Sequence, residues 1–162
     1  MKKIIISLCA VCCAFPFLNT EKAMGAIDAR TGASELTTPM SVSYTEAKGY
    51  FVNNNLDSLP PSVITSDAEL NKYFGMATVM GKDGKPTEID FNKKYVIDVT
   101  LPVTDTATVM KPKSLKRAAN GDITFTYVIK RGEKQSYSVQ PLLMIIVDKK
   151  HSGKVVLKAI EK

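Results

Sequence analysis

The stretch from Asp122 to Lys149 constrains this chain more than any other, because its side-chain alternation fixes both strand type and burial. In DITFTYVIK, Ile123, Phe125, Tyr127 and Ile129 fall on one face and Thr124, Thr126 and Val128 on the other, the period of two that predicts a half-buried strand. Further on, LLMIIVDK is apolar on both faces and predicts a strand covered from both sides at the centre of a sheet. Between them, Arg131 to Lys134 (RGEK) predicts a turn, SYSV a short strand, and Pro141 a bulge or strand entry. Core burial accounts for all of this, so the stretch is scaffold and activity belongs in the loops it supports.

The rest of the domain reads in the same terms. SVSYTEA and GYFVNN predict two short strands, broken by the asparagines and by DSLPP, where proline removes a backbone donor. Ser66 with Glu69 forms a capping box that starts a helix, with Leu70, Tyr73 and Phe74 as its apolar stripe and Gly75 placed to end it in a left-handed conformation. Asp83-Gly84 marks a turn, and in KKYVIDVTL the residues Tyr95, Ile97, Val99 and Leu101 alternate with Val96, Asp98 and Thr100, so Asp98 is expected on an outward face. Asn120-Gly121 predicts a two-residue hairpin turn after VMKPKSLKRAA, and KVVLKAI ends the sheet. Methionines 76, 80, 110 and 144 are expected to fill gaps in the core.

Residues 1–25 predict an export signal: Lys2 and Lys3 precede an apolar run from Ile4 to Leu18 that is short for a bilayer span, and Ala23 and Gly25 are small residues at the −3 and −1 positions of a cut. A flexible leader over 26–40 and a single β-rich domain over 41–162 complete the expected organisation. Cys9, Cys12 and Cys13 all lie in the signal, which leaves the exported domain without thiols and makes core burial its only source of stability. A lipid-anchored form is the alternative, although neither Cys9 nor Cys12 has a good lipobox before it. Losing Lys2, Lys3, Lys22 and Glu21 takes the formal charge from +6 to +4, a matter of solubility. The clusters Lys111 to Arg117 and Lys130 to Lys134 are read as solvated lysines that discourage edge pairing, and with no tryptophan the chain offers little for nucleic acid.

Catalytic arrangements are mostly excluded. The single histidine, His151, sits in a turn beside Ser152, its own neighbour, with which it cannot share a triad geometry. Without mature cysteines or calcium-loop spacing no metal site is expected, and no cofactor. A pair of distant carboxylates leaves no local signature, so an enzyme built on Asp98 and a second acidic group stays as an alternative.

From about Ile64 to Val156, ITSDAELNKYFG, IDFNKKYVIDV, GDITFTYVI and SYSVQPLLMIIVDK resemble the PrcB C-terminal domain family of exported bacterial proteins. That resemblance implies association with a protease, as a stabilising or controlling factor. Thr104 to Thr108 stand where the family's glycine-rich turn is expected, so no functional residue is carried over.

The sequence therefore predicts a mainly β (α+β) protein, an antiparallel sandwich or barrel with one short helix packed on the sheet, exported to the periplasm or secreted, with no transmembrane segment in the mature chain. Its expected role is non-catalytic protein binding, as a protease inhibitor or protease-associated factor, through a loop of Pro102, Val103, Thr104, Asp105 and Thr106 stiffened by proline and β-branched residues. Gly81 to Pro86 and Arg131 to Lys134 are the other candidate loops. The alternative is an envelope structural or small-ligand-binding β domain. Nothing in the sequence sets the oligomeric state.

Overall fold

Two antiparallel strand pairs, joined end to end and folded over at a common crease, make the frame of this protein. The computed structural model describes residues 38–54, 56–78 and 84–162, which fall in one compact unit, Glu35–Lys162. The expected export signal, the leader up to residue 37, Met80 and Asp83 lie outside the described residues.

The elements in chain order are β1 (Met40–Ser41), β2 (Thr45–Ala47), β3 (Tyr50–Val52), β4 (Val63–Ile64), α1 (Asp67–Tyr73), β5 (Phe74–Met76), β6 (Lys94–Thr100), β7 (Thr104–Arg117), β8 (Ile123–Val139), β9 (Leu142–Asp148), a 3-10 turn (Lys149–His151) and β10 (Val155–Glu161). The first sheet has the order β1-β7-β8-β10, the second β2-β9-β6-β4, and β3 pairs with β5 in a small ribbon. Neither larger sheet closes on itself, so the architecture is a sandwich and not a barrel. Among the described residues no helix is long and apolar enough to cross a membrane.

Alternation builds the layers as expected. Tyr95, Ile97 and Val99 of β6 and Leu143, Ile145 and Val147 of β9 meet Leu115, Ile123, Phe125, Tyr127 and Ile129 of the facing sheet in one core. The other face of β6 and β9 (Val96, Met144, Ile146) packs on Ile64, Leu70, Phe74, Val52 and Phe91 in a second core. That second layer explains why β9 is apolar on both faces. It also corrects the expectation for Asp98: the outward face of β6 is roofed by α1 and its neighbours, and Asp98 is only 1% exposed.

The capping box forms, with the Ser66 Oγ accepting from the Glu69 amide at 3.2 Å, while the Glu69 carboxylate reaches the Thr65 amide at 3.0 Å. Gly75 does not end the helix in a left-handed conformation. Phe74 caps α1 in extended backbone and the chain runs straight into β5, where Gly75 pairs with Phe51. The hairpin between β7 and β8 is longer than two residues: Gly121 N–H donates to the Ala118 carbonyl at 3.0 Å, and Gly121 follows the turn at φ 90°.

The expected turn at Arg131 to Lys134 is absent, because these residues continue β8 opposite Thr106 and Thr108 of β7. Gly132 marks an irregularity in the ladder instead, and a Cβ there would come within 3.3 Å of the Ala107 Cβ. At the far edge β10 runs parallel to β8, from Val155 beside Ile123 to Glu161 beside Ile129. The methionines divide: Met144 is buried in the second core, Met110 packs partly against the first, and Met76 is exposed.

Candidate binding site

At the crease, β6 becomes β7 through Leu101, Pro102 and Val103, and β8 becomes β9 through Gln140 and Pro141. Each crossing strand carries a proline where the ladder changes sheet, and the Leu101 amide donates to the Pro141 carbonyl at 3.0 Å. The corner is thereby short and fixed at both ends. It leaves Val103 63% exposed.

Of the five residues expected to form a binding loop, only Pro102 and Val103 lie outside a strand. Thr104 pairs with Val139, the Thr106 amide donates to the Thr104 hydroxyl at 3.2 Å, and Asp105 pairs with Lys134 at 3.0 Å. Thr104, Asp105 and Thr106 are therefore strand residues and not a projecting loop. Their threonine-rich composition suits a strand as well as a loop, and the partner strand decided between them.

The corner forms one wall of a groove of about 340 Å³, with Val103, Val139, Gln140 and Leu142 on one side and Tyr50, Phe51 and Val52 on the other. Phe51 is 48% exposed and lies over Gly75, its cross-strand partner, in space that a Cβ would fill. Consecutive aromatics on a strand point to opposite faces, so Tyr50 turns away from Phe51. It lines both this groove and a second cavity of about 440 Å³, bounded also by Asp67, Leu70, Met76 and the segment from Lys85 to Ile89.

The Tyr50 hydroxyl donates to the Thr87 carbonyl at 2.6 Å, and burial, with help from Asp67 and Glu88, pushes its pKa up. Gly49 makes this approach possible: it holds φ 79°, and a Cβ there would stand 2.8 Å from the Pro86 Cα. The Thr87 amide donates to the Lys48 carbonyl and the Lys48 amide to the Thr87 hydroxyl, both at 3.0 Å. Of the candidate loop Gly81 to Pro86, Lys85 and Pro86 line the second cavity, and residues 81–83 lie outside the described residues. Arg131 to Lys134 line neither cavity.

Asp98 is the one buried charged side chain among the described residues. Burial pushes its pKa up to about 7 against hydrogen bonds from the Thr100 hydroxyl and the Val99 backbone. Among the described residues no second carboxylate is one of the groups that shift its pKa, and Asp98 lines neither cavity. His151 ends the 3-10 turn half-buried, and its carbonyl accepts from the Tyr95 hydroxyl at 3.2 Å. Among the described residues no cluster of three or more histidine, cysteine or acidic side chains is placed to hold a metal.

Comparison with protein-family models, curated proteins and solved structures finds no match to this chain. Tyr50 and Phe51 are the site residues that sequence reasoning missed. Their signal was GYFV itself: two aromatics in sequence on one short strand cannot both enter a core.

Proposed function

We propose that this chain is an exported, non-catalytic protein-binding module that associates with a protease, and that its contact surface is the groove at the crease. One observation carries the reading: Phe51 of β3 and Val103 of the β6–β7 corner, two large exposed apolar side chains, line a single groove together with residues of strands β8 and β9. A surface already ordered before contact avoids most of the ordering cost of binding. Export rests on the N-terminal lysines and apolar run, and the protease on the resemblance to the PrcB C-terminal family.

The short corner favours a mode in which the partner's chain enters the groove over one in which a loop of this protein enters the partner's cleft. Pro102 and Val103 alone are too few to occupy several subsites. A second reading, small-ligand binding, is favoured by the two cavities sharing Tyr50, both within the size range of ligand sites.

Capture from the native envelope or culture fluid tests the proposal, with a photo-crosslinking residue at position 103 and a control at position 156. A protease crosslinked from position 103 and not from 156 is expected. Equal recovery from both positions, or none from 103, would overturn it.

A further inference from the structure

The two lysine clusters of the sequence, carried by the adjacent strands β7 and β8, share one surface with Lys158 of β10. On the outer face of the β1-β7-β8-β10 sheet, the ladder aligns Lys116 with Thr124 and Val156, Ser114 with Thr126 and Lys158, Lys111 with Val128 and Ile160, and Val109 with Lys130. Lys111, Lys116, Lys130 and Lys158 are all exposed. Among the described residues none of them takes part in an ion pair, and no acidic residue occupies the aligned positions of this face.

We infer that this face is a docking surface for an anionic lipid bilayer. Four positive charges on one sheet face, with hydroxyl and β-branched side chains between them, complement an extended negative plane. The face has no tryptophan, tyrosine or arginine at its aligned positions, the residues that anchor protein interfaces, and lysine is depleted in such interfaces. It has no aromatic platform for stacking bases. None of its residues lines the groove or the second cavity, so there is no pocket for an inserted side chain. Lysines need neither anchor nor pocket to be drawn to an anionic membrane, and their long stems can lie over Val109, Val128, Val156 and Ile160 while the ammonium groups reach the headgroups. The inference is independent of the groove and of its partner.

Co-sedimentation of the full chain with vesicles of 70% phosphatidylcholine and 30% phosphatidylglycerol tests it, against pure phosphatidylcholine vesicles. Three proteins are compared: the wild type, a face variant with Lys111, Lys116, Lys130 and Lys158 all changed to Gln, and a control with Lys72, Lys93, Lys94 and Lys150 changed to Gln. The N-terminal apolar run is common to all three, so differences report the lysines.

Each lysine at an anionic surface is worth about a fivefold change in affinity, so the face variant should bind at least about 100-fold more weakly and the control within about fivefold of wild type. Binding should fall steeply toward 1 M salt. Equal losses in the two variants, equal binding to neutral vesicles, or tighter binding to soluble polyglutamate than to charged vesicles would overturn the inference. Should the face variant fail to fold, acetylation of the wild type decides: vesicles should protect Lys111, Lys116, Lys130 and Lys158 above other lysines, and uniform labelling would refute it.

Discussion

The Thr100 hydroxyl stands 2.9 and 3.1 Å from the two carboxylate oxygens of Asp98, on the face of β6 that the helix layer covers. Because burial outweighs this hydrogen bonding, Asp98 titrates at about 7 in the fold against 3.8 ordinarily. The folded state keeps its proton after the unfolded chain has released it, so the stability present below pH 4 is lost as pH rises through about 7. Asp98→Asn keeps an acceptor for Thr100 and removes the charge. The variant should gain on the wild type by on the order of 3 kcal/mol between pH 4 and pH 8, read from urea unfolding at both pH values. A difference that does not vary with pH would refute this assignment.

Gly49 and Gly75 both leave room for a neighbour, but the neighbours differ in kind. At Gly49 an added Cβ meets the Pro86 backbone and a positive φ, whereas at Gly75 it meets the ring of Phe51, a half-exposed side chain that can swing away. Gly49→Ala should therefore cost about 2 kcal/mol or more, and Gly75→Ala about 1 kcal/mol or less. Thermal unfolding of both variants checks the order, and the reverse order would contradict it.

Lys134 and Asp105 hold the irregular end of the β7–β8 ribbon with a contact of 3.0 Å between largely exposed side chains. Solvent screening keeps such pairs weak, and Lys134→Ala should change stability by about 0.5 kcal/mol or less. A larger loss in denaturant unfolding would mean that this pair, and not the ladder, keeps Thr104 to Thr106 in a strand.

The strands and their inner faces were legible in the sequence because alternation is a local signal. Tyr95, Ile97 and Val99 of β6, like Ile123, Phe125 and Tyr127 of β8, point where their spacing predicts. Asp98 was misplaced because the roof over it comes from α1 and the β3–β5 ribbon, distant segments that leave no mark on KKYVIDVTL. Arg131 to Lys134 looked like a turn from their charge and glycine, yet Thr106 and Thr108 across the ladder hold them extended. Thr104 to Thr106 failed as a loop for the same reason. Of the five expected binding residues the fold exposes Pro102 and Val103, and Phe51, marked in the sequence only by the adjacent aromatic Tyr50, is set across the groove from Val103 by the pairing of β3 with β5.

Val103→Asp places a charge on the exposed wall of the groove. The substitution removes no buried contact of consequence, so the unfolding free energy should stay within about 0.5 kcal/mol of wild type while partner binding weakens at least tenfold. Pull-down at matched concentrations reads the second effect. Undiminished binding would move the contact surface elsewhere.

Titrating proteases of the native envelope and culture fluid with the purified chain tests the central claim most directly, by following both their peptidase activity and their survival over time. The proposed function predicts a saturable change in activity or lifetime with the wild-type chain, shifted to at least tenfold higher concentration by Val103→Asp. Protease activity and lifetime untouched by a large excess of folded chain, across all the proteases titrated, would contradict it.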